Sequence, residues 1–289
     1  MESPKNRVVG FVLITTFLTL ILFFSKIQFP SVSLFSILLM WTPALAAFIM
    51  SVLGNRPLKE IGWKVEFKWI GIAWCLPVIY ALFAYGLLWA VGSISFPNPT
   101  FLERAQLTMG IEMQSTWKLI VLAFFFITIV NLVPASVFAL GEEIGWRGFM
   151  VPEMLKWMGF FKTAFFSGLL WSFWHLPGIL SGEYGESSTS LAFRLVCFFL
   201  LVLSGSLMLT WLRVGSSSIW PAAIFHATHN GVIQTFFERL HLPTESSVYW
   251  TGEFGLGLAL TATLLAAGVA ILVLGKKGQG RRVSTTDYT

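Results

Sequence analysis

Apolar residues in this chain run on rather than alternate. Eight uninterrupted stretches, 8–25, 32–52, 69–91, 119–140, 160–180, 191–212, 219–237 and 252–274, are each long enough for an α-helix to cross a hydrocarbon core. Segments buried in lipid must satisfy their own backbone groups, so such stretches are read as helices. The pattern predicts an all-α, polytopic transmembrane helix bundle of about eight spans, organised as a single integral membrane domain over 1–289. Lys5 and Arg7 precede the first run as they would in a signal peptide, but no small-x-small cleavage site follows, so that run is read as an uncleaved span.

Composition agrees with the pattern. Of 289 residues, 56% are hydrophobic and 11% charged, with a mean hydropathy of +0.76, which excludes an ordinary soluble domain. The net charge of +5 is not read as a nucleic-acid footprint, because in this class Lys and Arg mark cytoplasmic loops. Fourteen of the 19 Lys and Arg fall at the N-terminus, near 55–68, 147–162 and 213, and in a basic tail at 275–289, against five in the alternate loops. Both termini are therefore expected in the cytoplasm of a bacterial or archaeal plasma membrane. Residues 55–68, mixing Leu58, Ile61, Trp63 and Phe67 with Lys59, Lys64 and Lys68, suit either an interfacial helix or a basic loop. Cys75 and Cys197 lie in apolar runs with no metal-ligand spacing and are read as buried thiols.

Against this background the stretch Gly-Glu-Glu-Ile-Gly-Trp-Arg at 141–147 stands out. Ionisable residues beside a membrane segment are costly and are functional by default. On a continuing helix Glu143 and Arg147 share a face and can pair, while Glu142 points about 100° away and is left free for chemistry. Three of the four histidines, His175, His226 and His229, also lie within spans, and His226, His229 and Asn230 share one helical stripe. Spans four and five form a hairpin around 156–160. Glu142 and His175 are equidistant from its turn, which puts them at equal depth, provided that the tip bearing Glu153, Lys156 and Lys162 extends into water. A carboxylate facing an imidazole in a desolvated chamber is a general-base arrangement, and a second His with an Asn one turn away offers two donors for an oxyanion. Spans four, five and seven would thus wall a polar chamber, with 119–237 as the catalytic core.

Glu-Glu-x-x-x-Arg at 142–147, His175 in the next span, and His-x-x-x-Asn at 226–230 resemble the three motifs of the CAAX protease and bacteriocin-processing (Abi) family, and the span layout is similar to its type II CAAX prenyl endopeptidases. The resemblance implies an intramembrane glutamate-type endopeptidase. In it Glu142 with His175 activates water, His226 with Asn230 stabilises the oxyanion, and Glu143 with Arg147 supports the structure. It also implies membrane lipid and a hydrophobic or lipidated peptide or protein as partners, with no cofactor. Where family members often carry Phe, four residues before the motif His, this chain has Trp171, an expected pocket residue. His229 has no role in the resemblance and is either a pocket residue or a helix contact.

Three other readings use the same residues. Glu142, His175 and His226 have the right types for a zinc site with one open position, although no His-Glu-x-x-His is present. A transporter or bacteriocin-immunity protein could use these polar groups as a ligand or proton path. Gly205 and Ser206 are the only hint of a serine nucleophile and lack its elbow motif.

Overall fold

The computed structural model describes residues 3–29, 34–185 and 188–278, and apart from one isolated bridge between Ser95 and Leu242 its secondary structure is helical. The chain runs through α1 (Pro4–Gln28), α2 (Leu34–Leu53), α3 (Phe67–Ala90), α4 (Pro99–Met109), α5 (Thr116–Phe125), α6 (Leu132–Glu143), α7 (Val151–Leu155), α8 (Phe160–Leu180), α9 (Leu191–Ser216), α10 (Trp220–Asn230), α11 (Glu238–Leu240) and α12 (Leu256–Gly278). Three π-helical segments, Phe126–Val130, Ile144–Met150 and Gly231–Phe237, interrupt this series. Most of the basic tail expected at 275–289 lies outside the described residues.

Among the described residues, five helices are long and apolar enough to cross a membrane, and six if Thr116–Val130 and Leu132–Leu155, which meet at 46°, count as one broken span. The count of eight from the sequence is therefore not reached by this measure. The apolar run at 119–140 is bent at Asn131, and its helix then continues through the charged motif to Leu155. Helix α8 and the α10 to α11 stretch, counted as spans five and seven, do not qualify because they carry His175, His226, His229 and Asn230. The polar residues that build the site dilute the signal that would mark these helices as spans.

Small residues seat the motif helix. A Cβ on Gly145 would lie 2.4 Å from Cβ of Pro43 in α2, and one on Gly141 would lie 2.8 Å from the Met40 carbonyl oxygen. Glycine at both positions, four apart, lets two backbones approach as few other side chains permit. Pro43 has no N–H to give the Leu39 carbonyl, and the Thr42 hydroxyl donates to that oxygen instead at 2.9 Å. Gly168 similarly meets Ser206 of α9, whose hydroxyl donates to the Ala164 carbonyl at 2.9 Å and lies 3.0 Å from the Ser167 hydroxyl. Ser206 is thus engaged in helix packing.

Of the two readings of residues 55–68, the structure shows a loop rather than an interfacial helix, and the loop is anchored. A short 3-10 turn, Leu58–Ile61, tucks Ile61 against Gly148 of the motif helix. Gly62 follows at φ +91°, and its carbonyl accepts from the Ile219 N–H at 2.8 Å. A side chain there would be strained by that φ and would also meet the Ser217 carbonyl oxygen at 2.5 Å. The hairpin between α7 and α8 turns at 156–159, as expected, and Lys156 and Lys162 are exposed there, but Glu153 is not. Glu153 is fully buried, 2.7 Å from Lys156 Nζ, 3.5 Å from Arg56 Nη1 and 3.1 Å from Arg7 Nε. Burial of a carboxylate requires such partners, and three cations supply them. Arg213 Nε donates to the Arg147 carbonyl at 2.9 Å, which gives this carbonyl of the π turn a partner. This end of the motif helix is closed.

Candidate functional site

Glu142 and Glu143 end α6, and the π segment Ile144–Met150 begins directly after them. Asn230 likewise ends α10, and the π segment Gly231–Phe237 follows at once. Such turns recur at functional sites because they change the direction in which successive side chains point. Both motif helices therefore carry their polar residues at a change of helical register.

The expected pair exists. Arg147 Nη1 donates to Glu143 Oε1 at 3.0 Å and Oε2 at 3.2 Å, with both side chains fully buried. The guanidinium also lies over the Trp171 ring, 4.1 Å from its centroid, and that π face covers the buried Nε and Nη2, which have no hydrogen-bond acceptor. Glu143 does more than the sequence reading gave it. Its Oε1 lies 3.0 Å from His226 Nδ1, so the carboxylate that neutralises Arg147 also fixes the imidazole.

Glu142 does not pair with the arginine. Its Oε2 accepts from the Trp171 indole N–H at 2.8 Å, and the side chain is 3% exposed. Trp171 is thus a direct partner of the candidate base as well as a wall residue. The His175 ring sits one turn further along α8, packed edge-on against Trp174 at 4.8 Å and Phe198 at 5.3 Å, and tilted against Tyr184 at 5.5 Å. Trp171 stands between the two proposed halves of the site, 6.0 Å from the His175 ring and 5.4 Å from that of His226.

Glu142, Trp171, His175, His226, His229 and Asn230 all line one cavity of about 280 Å³. The motif helix, α8 and α10, which correspond to spans four, five and seven, supply these six. Helices α1, α3, α9 and α12 contribute further walls, so the enclosure is wider than three spans. Among the described residues, no three His, Cys, Asp or Glu side chains are grouped to hold a metal ion.

Among the lining residues that escaped the sequence reading are Tyr80, Tyr184, Gln234 and Glu253. His229 joins them, with its Nδ1 on the Tyr80 hydroxyl and its Nε2 2.6 Å from Glu253 Oε1. Glu253 Oε2 also accepts from the Tyr184 hydroxyl and, at 3.0 Å, from Gln234 Nε2. Burial works against ionisation of Glu253, yet the His229 hydrogen bond and charge, with Tyr184 and Gln234, hold its carboxyl down at about 2. The signal was available, because Glu253 is an acid at the margin of the last apolar run, as Glu142 is beside the fourth.

Comparison with known proteins falls on the same residues. The chain is 27% identical over 240 residues to the CAAX prenyl protease 2 of Methanococcus maripaludis, an alignment covering 78% of this chain and 83% of that protein. A family model described as type II CAAX prenyl endopeptidase Rce1-like matches residues 117–232, a segment that contains all three motifs. The part of the chain that walls the cavity with Glu142, His175 and Asn230 is thus similar to the Rce1-like, type II CAAX prenyl endopeptidase family.

Proposed function

We propose that the protein is an intramembrane endopeptidase in which Glu142 is the general base for water. The carboxylate takes a proton from the water while His175 orients it, and the hydroxide attacks the carbonyl carbon of the scissile amide. The carbonyl π pair moves to oxygen, where His226 and Asn230 stabilise the charge. The proton then passes to the leaving nitrogen as the C–N bond breaks. Each group in this sequence belongs to the chain itself, and activity undiminished by a chelator is the expected result.

The Glu143 to His226 hydrogen bond refines one role. With Nδ1–H donated to the carboxylate, neutral His226 has only a lone pair at Nε2 and cannot donate to an oxyanion from that atom. His226 therefore acts as the imidazolium, stabilised by the Glu143 carboxylate that it shares with Arg147. Glu143 is in this reading a positioning residue for His226.

A single observation carries the proposal: Glu142, His175, His226 and Asn230 line one small cavity, with the indole of Trp171 fixing the base. The name of the archaeal relative and the apolar helices around the cavity support a lipid-anchored substrate, a prenylated CAAX-type peptide or protein in the membrane. The test is cleavage of a farnesylated CAAX peptide and of its unmodified counterpart by protein in liposomes. Glu142→Gln is expected to lower kcat at least ~10²-fold while the protein stays folded, in line with loss of a general base. Full activity in that variant would overturn the assignment.

A further inference from the structure

Glu253 lies outside all three motifs, in the loop that leads into α12, and is only 6% exposed. It receives hydrogen bonds from three elements: His229 of α10, Gln234 of the following π segment, and Tyr184 in the turn after α8. Through His229 it also reaches Tyr80 of α3. A buried carboxylate is expensive to maintain and would not be kept for packing alone when an apolar side chain serves as well.

What its partners touch is the more specific observation. Tyr184 holds its ring 5.5 Å from that of His175 and packs on Phe198 and Phe254. His229 lies one turn after His226 and directly before Asn230. One carboxylate thus fastens the wall that carries His175 to the wall that carries His226 and Asn230. Its own loop is fixed in turn, since the Gly252 N–H donates to the Tyr85 hydroxyl at 3.0 Å.

Resting on the peptidase reading above, we propose that Glu253 is a positioning residue that sets the spacing between His175, on the water-activating side, and His226 with Asn230, on the oxyanion side. His229 and Tyr184 are its two arms. Peptide hydrolysis is sensitive to such spacing, because small misplacements of the reacting groups are costly in rate.

The experiment compares wild type, Glu253→Gln, Tyr184→Phe, His229→Gln and the double variant Glu253→Gln/Tyr184→Phe in liposomes, with Glu142→Gln in parallel. The probes are a farnesylated CAAX peptide for cleavage and diethyl pyrocarbonate for histidine accessibility, read by mass spectrometry. For Glu253→Gln, kcat per folded molecule is expected to fall at least about 30-fold with KM within about threefold. The double variant is expected to be no slower than Glu253→Gln. Carbethoxylation is expected to rise several-fold at both His175 and His229 in Glu253→Gln and to stay at the wild-type level in Glu142→Gln. Labelling that rises at His229 alone, or losses that multiply in the double variant, would overturn the proposal. If Glu253→Gln does not fold, Tyr184→Phe and His229→Gln carry the same test, with non-multiplying losses expected when they are combined. An active Glu142→Gln would sink the peptidase reading, whereas the labelling pattern judges Glu253 without reference to cleavage.

Discussion

Replacing Arg147 with Met isolates what holds the motif together. In the native protein the guanidinium and the Glu143 carboxylate are both fully buried, at 3.0 and 3.2 Å, so neither is shared with solvent. Methionine keeps the length and apolar stem but strands the carboxylate, which retains only His226 Nδ1. Breaking one side of a buried pair costs ~3–5 kcal/mol. Loss of the cation from the Trp171 face adds up to ~2 kcal/mol, part of which methionine's own packing on the ring recovers. We therefore expect a loss of about 4 kcal/mol, most of it owed to the orphaned charge rather than to a missing attraction. The double variant Arg147→Met/Glu143→Gln removes that charge and is expected to regain at least ~2 kcal/mol over the single variant. Unfolding titrations of the three proteins in bicelles, followed by tryptophan fluorescence, measure both numbers. A single variant within ~1 kcal/mol of wild type, or a double variant less stable than the single, would refute the reasoning.

Three further outcomes follow from the geometry. Gly145→Ala places a methyl group 2.4 Å from Pro43 Cβ, so the motif helix must shift from α2; a stability loss of ~1–3 kcal/mol with reduced cleavage is expected, and an unchanged unfolding midpoint would contradict it. Trp171→Phe keeps a ring beneath Arg147 but removes the donor to Glu142, and kcat is expected to fall about ten- to a hundredfold, matching a charge-assisted hydrogen bond of ~1.5–3 kcal/mol. For Glu253, whose folded carboxyl is held at about 2 against an ordinary 4.5, the stabilisation is fully present above pH 4.5 and is lost as pH falls toward 2. Acid unfolding of Glu253→Gln is accordingly expected to show a shallower pH dependence than wild type across that window.

Much of the site was legible because ionisable residues are conspicuous in apolar sequence. Glu142, Glu143, Arg147 and the intramembrane histidines needed only the cost of burying charge to be singled out, and helical spacing paired Glu143 with Arg147 correctly. The π segments left no trace in the residue pattern, and that pair survives one within its own helix. Tyr80 and Tyr184 were hidden because aromatics abound in membrane sequences, where their hydroxyls look incidental. The contact from Glu143 to His226 joins residues 83 apart, a separation at which no periodicity speaks. Of the charges at 153, 156 and 162 that suggest solvent, Lys156 and Lys162 reach it, but Glu153 does not, because Arg7 and Arg56, remote in sequence, arrive to enclose it. Measured by length and hydropathy the spans stop short of eight, because His175, His226, His229 and Asn230 lower the apolar character of α8 and α10.

The enclosure of Glu153 bears on how the chain can be handled in the laboratory. Arg7 lies only three residues into the first helix, yet it reaches the far end of the segment that carries the motif. Trimming the leading residues past this point, or fusing a tag directly onto the helix start, would withdraw one of three cations from an acid that water does not reach. A safe cloning boundary therefore lies before Ser3, which caps that helix by accepting from the Asn6 N–H.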